Sequence, residues 1–366
     1  MMIILFFYTL PLNGAAKNNL HNQKTVLNKQ KESISQAKIK DLIETNLYNL
    51  SYSQSYIEKR DALNFLSDNA LKALPLLKES LSNKELSDLT LLNIWALIQY
   101  AKDLSSVFSQ GELESILEIQ KEKPPFVYQV LYDVNPFWPE LVFNNIKKMI
   151  NNPDVKLFTQ GFKLIQNLKI NTLNQELISM ALSTKNAFRL ELILGVLKHS
   201  SFNEDEIKKL PSLLSFFKSP IRQIRLQLIE LFKNYPQFFS QIRAQIKDTD
   251  NYIELDALIA LLEFYPQKES TSFLLKLIDE TPSASAALKA LRQKTLNSKQ
   301  YRKIEEIYKS ADSYNIRENI INFLIVQKKN KKNSKKTLEQ IENILKKISE
   351  NNETPPNLIE KILHSS

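Results

Sequence analysis

Cysteine is missing from all 366 residues, which excludes disulfides, thiolate metal sites, a cysteine nucleophile and a lipid-modified cysteine anchor. Glycine is almost missing as well. Four glycines leave few positions where the backbone takes a positive φ cheaply, so tight hairpins and glycine-built phosphate loops have little to work with. The three histidines, His21, His199 and His364, lie far apart, and none stands at a metal-ligand spacing such as His-x-x-x-His. His199 follows Leu197-Lys198 at an expected helix end, where an imidazolium suits the C-terminal dipole. No nucleophile elbow, Walker lysine loop or dinucleotide glycine fingerprint occurs. Acidic runs do occur, but Glu204-Asp205-Glu206 precedes Ile207 and a helical run, where carboxylates complement a helix N-terminus. General acid–base work would need a carboxyl buried beside a second group. Together these absences predict a chain that is not an enzyme and holds neither metal nor cofactor.

What fills the chain is Leu, Ile, Lys, Glu, Gln and Ala, mostly good helix formers. The apolar fraction of 43 % is too high for a disordered chain and too interrupted for a multi-span membrane protein. The net charge of +9 comes from 49 basic and 40 acidic residues, a mild excess for the length. Frequent Lys, Asn and Ile also match the codon usage of an AT-rich genome, so part of that charge is expected to be compositional drift. The clearest signal is a duplication. Leu228-Ile229-Glu230-Leu231-Phe232-Lys233-Asn234-Tyr235-Pro236-Gln237 returns thirty residues later as Leu258-Ile259-Ala260-Leu261-Leu262-Glu263-Phe264-Tyr265-Pro266-Gln267. A helical run stopped by proline and repeated at this spacing predicts stacked helical hairpins, an array whose core grows along one axis.

The start of the chain differs from the rest. Met2 to Leu12 is an apolar run of signal-peptide length, and Gly14-Ala15-Ala16 supplies the small residues a signal peptidase needs. Residues 1–16 are therefore expected to be a signal peptide cleaved after Ala16, placing the mature protein in a bacterial periplasm or outside the cell. No Lys or Arg precedes the apolar run, so an uncleaved membrane anchor is the alternative. Residues 17–50 read as a polar linker and a first helix, 51–123 as N-terminal helical repeats and 140–350 as the main repeats. Residues 351–366 read as a tail helix.

Within the repeats, an apolar residue followed by a base marks the first helix of a unit: Val155-Lys156, Phe188-Arg189, Ile224-Arg225 and Ile316-Arg317. Ile253-Glu254 and Ala284-Ser285 fill intermediate slots without the base. Pro153-Asp154-Val155-Lys156 with Gly161 and Leu164 resembles the Pro-x-Val-Arg opening of a HEAT repeat. Pro220 with Gln223-Ile224-Arg225 and Leu228, and Asn315-Ile316-Arg317-Glu318 with Ile321 and Leu324, are similar. The resemblance extends over about residues 50 to 345. It implies an all-α fold, an armadillo-like right-handed α/α superhelix of HEAT-like hairpins with about eight to nine units, and no particular activity. Two features depart from the family: alanine positions hold Leu or Ile, and the aspartate between helices is mostly missing. Tetratricopeptide repeats share a similar period, but their small residues at helix crossings are largely absent here.

Three stretches are candidates for binding. Pro124 to Pro139 holds four prolines with Tyr128, Tyr132, Phe137 and Trp138, and reads as a proline and aromatic junction interrupting the regular helices. Its aromatics are either partner anchors or filling for the junction core. Trp95, at helical spacing from Leu91, Leu92 and Ile98, reads as core. Arg222, Arg225 and Arg243, with Lys247, form a possible basic strip, or follow the HEAT habit of lining one helix edge with bases. Lys328, Lys329, Lys331 and Lys332 open a run of six lysines within nine residues, a solvated loop or a contact for phosphate-rich partners. The absence there of aromatics for stacking and of arginine forks disfavours nucleic acid. The expectation is a protein-binding scaffold, with an anionic envelope polymer or lipid headgroup as a further partner. A HEAT-like DNA glycosylase is the rival reading.

Overall fold

The computed structural model describes residues 36–266, 268–279, 283–330, 333–351 and 354–364. The expected signal peptide and most of the polar linker lie outside these residues, as do Lys331 and Lys332. Every regular element among the described residues is helical, and neighbouring helices pack in pairs. The chain divides into two compact units, Met1–Gly161 and Phe162–Ser366.

The first unit contains α1 (Gln36–Tyr52), α2 (Tyr56–Asp68), α3 (Ala70–Ser80), α4 (Asp88–Ala101), the single turn α5 (Leu104–Val107), α6 (Gln110–Ile119), α7 (Pro124–Val134) and α8 (Pro139–Asn151). The helix α9 (Val155–Leu168) runs across the division. Serines start several of these helices. Ser55 and Ser87 each accept a backbone N–H from the first turn, and Ser109 with Glu112 forms a reciprocal capping box. Helix α4 packs on α2, α3 and α7, and its Trp95 is enclosed at 1 % exposure. Trp95 stacks on Phe108, meets Phe126 edge-on and donates its Nε1–H to Asp133 Oδ2 at 2.8 Å, so the core reading of this residue holds. Gly161 is the close-approach point of α9 on α8: a Cβ there would lie 2.9 Å from Ile150 Cγ2 and 3.0 Å from Met149 Cβ.

The proline stretch turns out to be helical, contrary to the expected interruption. Pro124 and Pro139 occupy the first turns of α7 and α8, where a missing N–H costs nothing and the fixed φ already suits the helix. Prolines that were read as helix breakers act here as helix starters.

The second unit repeats one arrangement. Its first helices are α11 (Ala187–Leu197), α13 (Arg222–Phe232), α15 (Tyr252–Leu261), α17 (Ala284–Leu291) and α19 (Tyr314–Lys328), each packed on the next. Between them run α12 (Glu204–Lys209) with a long 3-10 segment Leu210–Lys218, then α14 (Phe239–Asp248), α16 (Lys268–Leu277), α18 (Ser298–Ser310) and α20 (Lys335–Glu350). Helix α10 (Asn174–Ser183) precedes α11, and α21 (Pro356–Leu363) ends the unit. The duplicated string behaves as a true repeat. Leu228 and Leu258 are both fully buried, as are Leu231 with Leu261 and Phe232 with Leu262. Burial of each such side chain is worth roughly 1.5–3 kcal/mol. In that thirty-residue register, however, the residue matching Ile224 is Glu254 and not Ile253. Glu254 is wholly buried, and its two oxygens accept from Gln245 Nε2 and Thr249 Oγ1.

Polar side chains tie the ends of successive first helices together. Tyr265 donates its hydroxyl to the Phe232 carbonyl at 3.2 Å, and Lys294 Nζ donates to the Tyr265 carbonyl. Gln327 Nε2 donates to the Arg292 carbonyl at 2.8 Å while Tyr301 donates to Gln327 Oε1 at 3.1 Å. The three bonds to backbone each span about one repeat and reach a carbonyl at the C-terminal end of the preceding first helix, while Tyr301 holds the Gln327 amide in place.

Candidate functional site

The residues singled out as binding candidates are divided between the two units. Tyr128 and Tyr132 stack one turn apart on α7, with ring centroids 6.2 Å apart, and Tyr132 is exposed. Phe137 and Trp138 lie in the turn between α7 and α8 with centroids 5.7 Å apart; Phe137 is exposed and Trp138 half-buried. Neither the partner-anchor nor the core-filling reading covers all four, because each pair joins an exposed ring to a half-buried one.

The bases have structural duties. Arg225 donates from Nη1 to the Ser219 carbonyl at 2.6 Å, and Arg317 donates from Nε to the Ala311 carbonyl at 2.8 Å. Each reaches six residues back to close the loop that leads into its helix. Arg243 lies over the Phe273 ring at 5.3 Å, and Arg222 is exposed in the first turn of α13. Lys328 pairs with Glu342 at 3.5 Å, and Lys329 is exposed just past the end of α19. The placement of Lys331 and Lys332 is outside the described residues.

A feature with no counterpart in the sequence reading is an open groove of about 810 Å³ within the first unit. Three helix starts (Asp88 on α4, Pro124 on α7, Val155 on α9) meet two helix ends, those of α6 and α8. Leu117, Val127 and Met149 give it a buried apolar floor. Its rim alternates in charge. Lys121 Nζ sits 2.8 Å from Glu118 Oε1, and this bond, with smaller help from Lys148 and Lys84, holds the Glu118 carboxyl below its usual range. Asp154 Oδ1 accepts the N–H groups of Lys156 at 2.8 Å and Leu157 at 3.0 Å, so the positive end of α9 is already neutralised. Asp88 differs: its Oδ1 is inaccessible to water and has no hydrogen-bond partner among the described residues. An acceptor left in that state costs free energy, and, being enclosed, it offers nothing to a ligand. The groove itself suits a ligand with an apolar surface and charged groups that complement its rim. The residues that build it come from separate segments spread between Asp88 and Leu157, so only the local signals, the Glu118/Lys121 pair and the capping Asp154, are visible in sequence.

Among the described residues no cluster of His, Asp and Glu is placed to hold a metal ion. No helix among them is long and apolar enough to cross a membrane.

Compared with known proteins, the chain matches no family profile and no curated protein. Among solved structures it is similar to an engineered protein determined by the Northeast Structural Genomics Consortium, at 12 % identity over 91 % of this chain and 95 % of that one. The TM-score is 0.36, too low to carry an argument.

Proposed function

We propose that this chain is a non-catalytic scaffold that binds a protein partner, exported through the apolar segment ending at Ala16 and acting in a bacterial envelope or periplasm. Its helix pairs are assigned as HEAT-like hairpins, in a right-handed superhelix of about eight to nine units. Support comes from the thirty-residue duplication and from Arg225 and Arg317, which occupy matching positions and close matching loops.

The observation that carries the binding reading is the first-unit groove, where a buried apolar floor lies inside a rim of exposed acidic and basic side chains. A partner setting an apolar side chain in the groove, with acidic groups opposite Lys148 and Lys156, would meet both features at once, as buried anchors in protein interfaces do. Trp95 is enclosed and hydrogen-bonded, which takes one of only two tryptophans away from any base-stacking role.

The test is crosslinking co-purification from cells with the wild-type chain and with the double variant Lys148→Glu, Lys156→Glu, which reverses two exposed rim charges. Specific proteins recovered by the wild type and lost in the variant support the reading. Recovery of nothing above background, or an unchanged set in the variant, overturns it. N-terminal sequencing of the mature protein is expected to begin at Lys17; a start at Met1 refutes the cleaved signal.

A further inference from the structure

The positive charge of this chain is segregated. Between Lys289 and Lys347 there are sixteen basic residues and six acidic ones, a surplus of ten. All other residues together hold 33 basic and 34 acidic, so the whole net charge of +9 resides in this one stretch. Codon drift toward lysine would spread the excess along the chain, and it does not. A field concentrated on a few helices raises the local concentration of an oppositely charged partner.

The stretch builds α18, α19 and α20, and between α18 and α20 lies a groove of about 350 Å³ lined by Arg302, Glu305, Lys336, Gln340, Asn343 and Lys347. Arg302, Lys336 and Lys347 are exposed. Arg302 and Lys336 have no ion-pair partner among the described residues. Glu305 organises the remainder: it accepts from Lys309 at 2.9 Å and from Lys347 at 3.3 Å. Burial alone would raise its carboxyl pKa, but the two lysines outweigh burial and hold it below the usual range, so it stays ionised and fixes both ammonium groups. Gln340 donates to the Ser298 carbonyl at 2.9 Å and pins the start of α18 to α20.

We infer that this groove docks an acidic peptide segment. Three features select a peptide among anionic ligands. Glu305 and Glu339 stand in the groove wall and repel a continuous phosphate chain, whereas a peptide can space its carboxylates to meet Arg302 and Lys336. Gln340 and Asn343 supply amide groups able to pair with a peptide backbone. No aromatic side chain lines the groove to stack a base. The residues lining this groove are all different from those of the first-unit groove, so the inference stands or falls independently of the function proposed there.

The test is fluorescence anisotropy on the full chain with a labelled peptide alternating Glu and Gly. Its Gln–Gly counterpart, a single-stranded oligonucleotide and phosphatidylglycerol vesicles serve as the other ligands. The acidic peptide is expected to bind more tightly than all three, and to weaken as salt rises. Arg302→Glu with Lys336→Glu is expected to weaken it about tenfold or more. Lys185→Glu with Lys218→Glu, which removes the same charge from exposed positions elsewhere, is expected to change it far less. The milder pair Arg302→Gln, Lys336→Gln covers the case in which charge reversal disturbs folding, as read by circular dichroism. The inference is overturned if the Glu and Gln peptides bind alike, if both charge-reversed variants lose affinity equally, or if the oligonucleotide or the vesicles bind more tightly than the peptide.

Discussion

Substituting alanine at the few glycines separates two opposing effects within one chain. In a helix interior alanine is favoured over glycine by about 1 kcal/mol, because it loses less backbone freedom on folding. At Gly195 in α11 a new Cβ meets nothing closer than Gln166 Nε2 at 3.9 Å, so Gly195→Ala is expected to stabilise by up to about 1 kcal/mol. Gly161 has the opposite surroundings. Its Cβ would approach Ile150 Cγ2 at 2.9 Å, Met149 Cβ at 3.0 Å and the Ile150 amide nitrogen at 3.2 Å. Those neighbours are a stiff β-branched methyl, a Cβ and a backbone atom, none of which swings aside as a long side chain would. Forcing α9 away from α8 costs roughly 1–3 kcal/mol. The net expectation for Gly161→Ala is destabilisation by about 1 kcal/mol, leaving about 2 kcal/mol between the two variants. Urea unfolding followed by circular dichroism measures that difference. Equal stability of the two, or a gain at Gly161, would refute the close packing of α8 and α9.

Four further outcomes follow from the same geometry. Tyr265→Phe removes the donor to the Phe232 carbonyl inside the core and is expected to cost about 1 kcal/mol in urea unfolding; no loss would mean that the ties between successive helices carry no stability. Lys169 holds a positive φ of 54° at the end of α9, where Ile170 N–H bonds the Ile165 carbonyl, so Lys169→Gly should stabilise by about 1 kcal/mol, and a loss would contradict that backbone. Burial, only partly offset by Glu263, lowers Lys294 from 10.5 to about 8. The unfolded chain therefore binds more protons between those values, and stability should rise as pH increases from about 8 toward 10, a rise absent in Lys294→Gln. Glu112 is held at about 2 by Lys78 and by its cap on Ser109, so its contribution is complete above 4.5 and fades as pH falls toward 2; Lys78→Met should shift that acid loss to higher pH.

Much of the fold was readable in sequence because helical hairpins write their cores locally. The Leu228/Leu258 register, the enclosure of Trp95 and the all-helical content each follow from residues within a few turns of one another. Two local inferences failed for physical reasons. Proline was read as a helix breaker at Pro124 and Pro139, yet at the first turn the same missing N–H and fixed φ favour the helix. Ile253-Glu254 was read as a marker pair lacking its base, yet the thirty-residue register puts Glu254 in the buried slot of Ile224. Gln245 on α14 and Thr249 just after it donate to its two oxygens and make that burial tolerable. The first-unit groove could not be read at all, since it arises from helix ends brought together by packing.

The fate of the basic residues shows what a recurring base does in this chain. A base at a repeat-marker position is recognisable because it recurs, and at two of the four marked positions it meets the same need, an open carbonyl six residues back. Arg225 and Arg317 are consumed by that structural need. Arg243 covers a phenylalanine ring and Lys328 an acidic neighbour on the next helix. Bases free to meet a partner are those outside the recurring pattern, such as Arg302 and Lys336 on α18 and α20. A recurring base is thus bound into the fold at Arg225 and Arg317, and under the scaffold function proposed above, contact with a partner would fall to the side chains in which one helix pair differs from the next.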